Sequence, residues 1–385
     1  LMHLAVNKLS GLRALRRARA AYKALPSERC DLFAPNPDPQ VRWTTRLLPL
    51  DVLAIDAAPD ADHPLAVAVP SAEARLQARF ATSTVYSQNL PALSFVELDE
   101  GIAASCPELA FVEAATYMTP MALVLLGYEL CGTYTRDARN PRCGDVTFGV
   151  QPATNVGRIG DFIEYAGRIR GAQKAKQALA LVRDNAWSPM EAIVAALALL
   201  PMSEGGYGLG DVALNRRQLT APELVSLGCK DSRVPDIELV GTHVGFNYDG
   251  HAHFAVGETA EGQQTGADAA SVRAKYLDDL RRNRELAAMG RVVLPVTSED
   301  LFQQGGLDAV MLEAVLIAEE LDHIEDGRFD ELKALISMPV LQRERQRIIW
   351  SVLPWEHGDA YARQIADQLA RLGHPREIVT TVMDI

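Results

Sequence analysis

No stretch of this chain offers the ~18–20 uninterrupted apolar residues that a membrane-spanning helix needs. The best candidate, Ala192–Pro201 (AIVAALALLP), is too short and predicts a core helix. Cysteine is sparse and scattered: Cys30, Cys106, Cys131, Cys143 and Cys229 form no C-x-x-C pair. That spacing argues against a zinc knuckle or a disulfide framework and for buried free thiols in a reducing compartment. Positive charge is also in deficit. The net charge is −12, so bulk charge does not draw the protein to nucleic acid, and such a role needs a local basic patch. There is no G-x-S-x-G, so no nucleophile elbow is expected. Gly205–Gly210 lacks the lysine and serine of a phosphate-binding loop and predicts a turn. Cys131 is flanked by apolar residues and predicts a core thiol, not a nucleophile. Internal repeats and low-complexity tracts are missing too.

What remains is a chain of 385 residues, 48% hydrophobic, long enough for two or three domains with sizeable cores. The first 25 residues turn from apolar to basic, the reverse of signal-peptide order, so a cytoplasmic setting is expected. The pattern predicts an α+β region over 1–153, an α/β domain over 154–325 and a helical extension over 326–385.

Lys8–Leu25 has helical spacing, with Leu9, Leu12 and Leu15 on one side. The helix carries Arg13, Arg16, Arg17, Arg19 and Lys23, which could track a phosphate backbone or form a solvated face. No aromatic residues interleave them, so a stacking platform for single strands is not indicated. Strands are expected at Leu65–Val69, Ser83–Tyr86 and Gly101–Ala104, and helices at Pro107–Tyr117 and Thr119–Leu130. Ser188-Pro189-Met190-Glu191 is a helix start. A second basic group, Arg273, Lys275, Arg281, Arg282, Arg284 and Arg291, is partly neutralised by Asp278, Asp279 and Glu285.

Val234–His253 (VPDIELVGTHVGFNYDGHAH) alternates on both sides of Gly241-Thr242. A two-residue hairpin loop there pairs Glu238 with Gly245 and Asp236 with Asn247. One face then collects Ile237, Leu239, Val244, Phe246 and Tyr248, and the other Asp236, Glu238, His243, Asn247 and Asp249. Clustered carboxylates repel unless a cation lies between them, and Mg²⁺ takes such oxygen ligands. A hairpin with one wet face carrying solvated acids is the plain alternative. His243, His251 and His253 could ligate a transition metal or be solvated loop residues.

The order Asp236, ten residues, Asn247-Tyr248-Asp249-Gly250-x-x-His253, then Asp279-x-x-Arg282 and a strand ending at Thr297, resembles the PD-(D/E)XK restriction-endonuclease-like superfamily. The branch it is most similar to includes the very-short-patch-repair endonucleases. Longer motifs (SGLRALRRAR, CPELAFVEAA, LGYELCGTY, SPMEAI, GGYGLGDVALN) resemble a group of bacterial proteins with this domain near the C-terminal end, akin to abortive-infection antitoxin-type regulators of phage defence. The likeness covers roughly residues 5–320.

The resemblance implies a mixed sheet flanked by helices and Mg²⁺- or Mn²⁺-dependent DNA endonuclease chemistry. Asp236, Asn247 and Asp249 match the metal-ligand positions, Glu191 the domain-opening glutamate and His253 the histidine. Arg282 matches the following helix and adds a nucleic-acid contact to Arg13, Arg16, Arg17 and Arg19. Asn247 stands where that branch has glutamate, and Asp249 where a lysine is usual, so the site is short of one carboxylate. A non-catalytic DNA-binding regulator and a protein-interaction module are the alternative functions.

Overall fold

The computed structural model describes residues 3–25, 37, 43–86, 90–91, 94–166, 168–249 and 266–354, and residues 360, 363, 364, 367 and 371; side chains are described in α8 (Gly266–Ala288) only from residue 277 onward. The chain divides into two compact units, Leu1–Pro189 with Ser351–Ile385, and Met190–Trp350. Both mix helices with mixed sheets. Among the described residues, no helix is long and apolar enough to cross a membrane.

The first unit holds β1 (Leu4–Val6), α1 (Lys8–Ala20), β2 (Leu65–Val69), β3 (Ala81–Val85), β4 (Phe95–Asp99), β5 (Ile102–Ser105), α2 (Pro107–Ala114) and α3 (Pro120–Cys131). A two-residue ladder, β6 (Tyr134–Thr135) with β7 (Thr147–Phe148), follows, then α4 (Val156–Tyr165) and α5 (Ala172–Leu179). The sheet order is β3-β2-β1-β5-β4, with β1 parallel to β5 and antiparallel to β2. Helix starts follow local chemistry. Thr119 accepts the Ala122 N–H ahead of Pro120, and the Cys106 sulfur accepts that of Leu109 ahead of Pro107. Residues 107–114 of α2 are buried on every side, which makes it an interior helix.

The division falls at 189/190 and not at 153/154, because α4 packs on α2 and α5 on α3. Gly160 does not break α4, which runs through it to Tyr165.

The second unit opens with α6 (Pro189–Leu199), which starts where the Ser-Pro-Met-Glu signature predicts. Then come β8 (Val212–Leu214), β9 (Gln218–Leu219), α7 (Pro222–Ser226), β10 (Ser232–Arg233), β11 (Ile237–Leu239), β12 (Val244–Asp249) and α8. β13 (Val292–Thr297), α9 (Ser298–Phe302), α10 (Gly306–Asp322), α11 (Asp330–Leu335) and α12 (Pro339–Val352) complete it. The main sheet has the order β13-β12-β11-β8, antiparallel at β8–β11 and β11–β12 and parallel at β12–β13.

The expected extension over 326–385 does not stand apart, since residues 326–350 belong to this unit. The guanidinium of Arg345 is buried against Asp308, at 2.8 and 3.0 Å, and Tyr207 donates to the same carboxylate at 2.8 Å. This staple joins α12 to α10 and to the Gly-rich turn after α6. Arg345→Met is expected to lower stability by about 3–5 kcal/mol, because it strands the Asp308 charge in the interior. Urea unfolding of the full chain checks this; an unchanged midpoint would contradict it.

Candidate active site

The hairpin register is the one the alternation predicts: Ile237 faces Phe246 and Glu238 faces Gly245. The turn is longer than the expected two-residue loop. Strands end at Leu239 and begin at Val244, and the Thr242 N–H donates to the Leu239 carbonyl. Gly241 takes φ 82° at the third position of this turn, where a type II turn needs glycine. Gly245 has no room for a side chain: a Cβ there would lie 2.6 Å from the Ile237 oxygen.

The polar face is only partly the wet face expected from alternation, for His243 is exposed and Asp236 and Asp249 are half-buried. Glu238 and Asn247 are buried like the apolar face opposite. α8 runs on their side, and its Arg282 reaches Asp249 at 3.8 Å and Asp279 at 3.4 Å.

Asp236 sits at the entry to β11 and is held from three directions. Its carboxylate accepts the Tyr248 N–H at 2.7 Å, its own N–H donates to the Asn247 side-chain oxygen at 3.0 Å, and its carbonyl accepts the Asn215 N–H at 2.9 Å. Asn215 follows β8 with φ 50°, a left-handed conformation that asparagine tolerates. Its side chain donates to Glu191, in the first turn of α6, at 2.8 Å. Asn215 thus links the Glu191 carboxylate to the backbone of Asp236.

Burial pushes the Asp236 carboxyl up, and the like charges of Glu191 and Asp249 push it further. The Tyr248 N–H and Arg282 pull the other way and lose, which leaves Asp236 at about 7. The like charges that Asp236 feels therefore outweigh the positive charge of Arg282.

Glu238 does not join them. It accepts from the Gln218 side chain and lies 3.7 Å from Arg291. The Asn247 oxygen is committed to the Asp236 N–H, and its buried Nδ2 has no partner among the described residues. With its oxygen occupied and its nitrogen buried, Asn247 does not stand ready as a metal ligand. His251 and His253 lie outside the described residues. His243 pairs with Asp322 through both its ring and its backbone N–H.

The donor set of Asp236, Asp249 and Glu191 is all hard oxygen, which fits Mg²⁺ or Mn²⁺ in type and charge. Among the described residues, no three acidic, histidine or cysteine groups already converge as a finished metal cage.

The basic first helix is a different matter. Arg16 and Arg19 are each 3% exposed. Arg16 grips Glu129 of α3 with two nitrogens, at 2.9 and 2.7 Å. Arg19 donates to the carbonyls of Glu129 and Gly132 at 2.9 and 3.0 Å. Neither can reach a phosphate backbone, and both brace the first unit. Arg17 pairs with Asp51 on the surface at 3.0 Å, and Arg13 is partly exposed. Cys131 is buried, and burial pushes its thiol up, as suits a core residue.

Sequence reasoning missed Asn215. The signal that could have found it is its place at the end of a strand bordering the hairpin, where a short polar side chain can turn inward. No protein family, curated protein or solved structure matches the chain.

Proposed function

We propose that the second unit is a restriction-endonuclease-like domain that hydrolyses DNA phosphodiesters with Mg²⁺ or Mn²⁺. The observation that carries this reading is the geometry at Asp236, whose carbonyl is joined through Asn215 to the Glu191 carboxylate, with the like charges of Glu191 and Asp249 pushing its carboxyl up. Such crowding destabilises an ordinary protein surface, and a divalent cation relieves it. The order of elements supports the reading as well. An opening helix with Glu191, a hairpin with Asp236 and Asp249, a helix with Arg282 and a closing strand follow one another as the resemblance expects.

Asp236, Glu191 and Asp249 would hold the metal. When bound, it would supply Lewis-acid stabilisation of phosphate oxygen and a more acidic water. The chain's own groups do the positioning. Asn215 fixes Glu191, the Tyr248 N–H fixes Asp236, and Arg282 balances Asp249.

A second reading, a DNA-binding regulator that has kept the fold without the catalysis, is favoured by one observation. Asn247 brings no charge, and its oxygen is already occupied.

Plasmid cleavage with Mg²⁺ or Mn²⁺ separates the two. Native cleavage that falls by about 10²-fold or more in Asp236→Ala is expected, a loss of roughly 3 kcal/mol of transition-state stabilisation. A native protein that is inert while Asn247→Glu cuts would mean a disarmed nuclease. If all three are inert, catalysis is excluded.

A further inference from the structure

The connection between β8 and β9 is Asn215-Arg216-Arg217, followed by Gln218 at the start of β9, and both arginines are exposed. The residue before them is tied to the site twice, through its side chain to Glu191 and its N–H to the Asp236 carbonyl. The residue after them is held too, since the Gln218 side chain donates to Glu238, which lies outside the site. The residues on either side of the two arginines are thus hydrogen-bonded to their surroundings, Asn215 to Glu191 of α6 and to the Asp236 carbonyl, and Gln218 to Glu238 of β11.

Elsewhere in this unit, arginines near acids pair with them: Arg233 with Glu285 at 2.5 Å, Arg282 with Asp279 and Arg291 with Glu238. Arg216 and Arg217 have no carboxylate within salt-bridge distance among the described residues, although the acidic site begins one residue away.

Exposed arginines are commonly just solvated. These two differ in that the residues before and after them are hydrogen-bonded in place, which holds their Cα atoms beside the site. The planar guanidinium fork matches phosphate, and two such forks on consecutive residues can each take a phosphate of a DNA backbone. We infer that Arg216 and Arg217 grip the phosphodiester backbone of DNA beside the site, holding the strand whose scissile phosphate enters between Asp236 and Glu191. This inference rests on the proposed DNA reading and supplies the grip that the buried Arg16 and Arg19 cannot.

The test is binding of a labelled DNA duplex to the full-length protein. It is followed by fluorescence anisotropy over a range of salt concentrations, with Ca²⁺ in place of Mg²⁺. The native protein, Arg216→Ala/Arg217→Ala, Arg216→Lys/Arg217→Lys and Asp236→Asn are compared, with circular dichroism as a check on folding. Each phosphate contact contributes about 0.9 to the slope of log affinity against log salt. The double alanine variant is expected to bind at least about tenfold more weakly, with a slope shallower by about 2, and the double lysine variant to keep most of the slope.

An unchanged slope in the alanine variant overturns the inference. If Asp236→Asn still binds but no longer cleaves while the alanine variant is unaffected, the nuclease reading survives and the arginine grip fails. If the alanine variant loses binding but no form cleaves, the grip stands and the nuclease reading fails. A native protein that does not bind the duplex, or that releases it fully to millimolar inorganic phosphate, overturns the inference.

Discussion

Arg16→Ala is expected to cost the protein roughly 3–5 kcal/mol of stability, the largest loss among single changes in the basic first helix. Glu129 is fully buried, and burial alone would push its carboxyl up. Arg16, then Arg136 and Arg19, outweigh that burial and hold it at about 2. The Thr135 hydroxyl and the Arg136 N–H, both at 3.1 Å, complete its shell. Removing Arg16 leaves an interior carboxylate without its bidentate partner, and the protein must then protonate it or open.

The effect has a defined pH dependence. A free glutamate titrates near 4.5, so the Glu129 contribution is complete above that value and is lost as pH falls through about 2. The native protein should therefore weaken on acidification in that window, and Arg16→Ala should flatten the dependence. Arg13→Ala should change stability by less than about 0.5 kcal/mol, as surface changes usually do. Urea titrations of both variants at neutral pH check this. An Arg16→Ala protein of native stability that has lost DNA affinity would return that residue to a nucleic-acid role.

Asp236→Asn should stabilise the protein at pH 8 and leave it nearly unchanged near pH 4. A free aspartate titrates near 3.8, and in the folded chain Asp236 is raised to about 7. Its favourable contribution is fully present below 3.8 and disappears as pH rises through about 7. Above neutrality the folded state carries an unwelcome charge worth up to about 4 kcal/mol. Asparagine keeps an oxygen for the Tyr248 N–H and brings no charge.

Divalent cation should act in the same direction by another route, because metal competes with the proton for the same oxygens. Mg²⁺ or Mn²⁺ should raise the native melting temperature more at pH 8 than at pH 5, and should do so less in Asp236→Asn. Thermal melts over that range read both effects. Equal destabilisation by Asp236→Asn at both pH values would remove the charge-crowding argument.

Local signals predicted the local structure well. The hairpin register followed from strict alternation, and the starts of α2, α3 and α6 from proline and capping residues. β1 escaped because three residues are too few to show a period, although this strand is the middle of its sheet. The wet face escaped because covering helices arrive from distant sequence.

The arginines of α1 were misjudged for a related reason. Leu12, Leu15, Arg16 and Arg19 occupy one helical stripe, the spacing of an interior face. The position pointed inward while the residue type pointed outward. The deciding partner, Glu129, is 113 residues away. For the candidate site, the hairpin alternation brings Asp236 and Asp249 together and the resemblance adds Glu191, and the structure puts Glu191 and Asp249 near enough to Asp236 to shift it. Asn215 could not be named, because its role depends on two tertiary hydrogen bonds.

The first unit is made of two stretches of chain, with the second unit lying between them in sequence. The Arg142 guanidinium is buried and donates to the Leu353 carbonyl at 2.8 Å and to that of Ser351. Leu353 is 211 residues later. At about 5–20 residues per second of synthesis, Arg142 waits on the order of 10–40 s for those carbonyls to be made. The first unit cannot be finished on the ribosome before the second has been translated. A slow late phase in its acquisition of protease resistance during synthesis, abolished in a chain that stops at residue 350, would be the kinetic trace of that order.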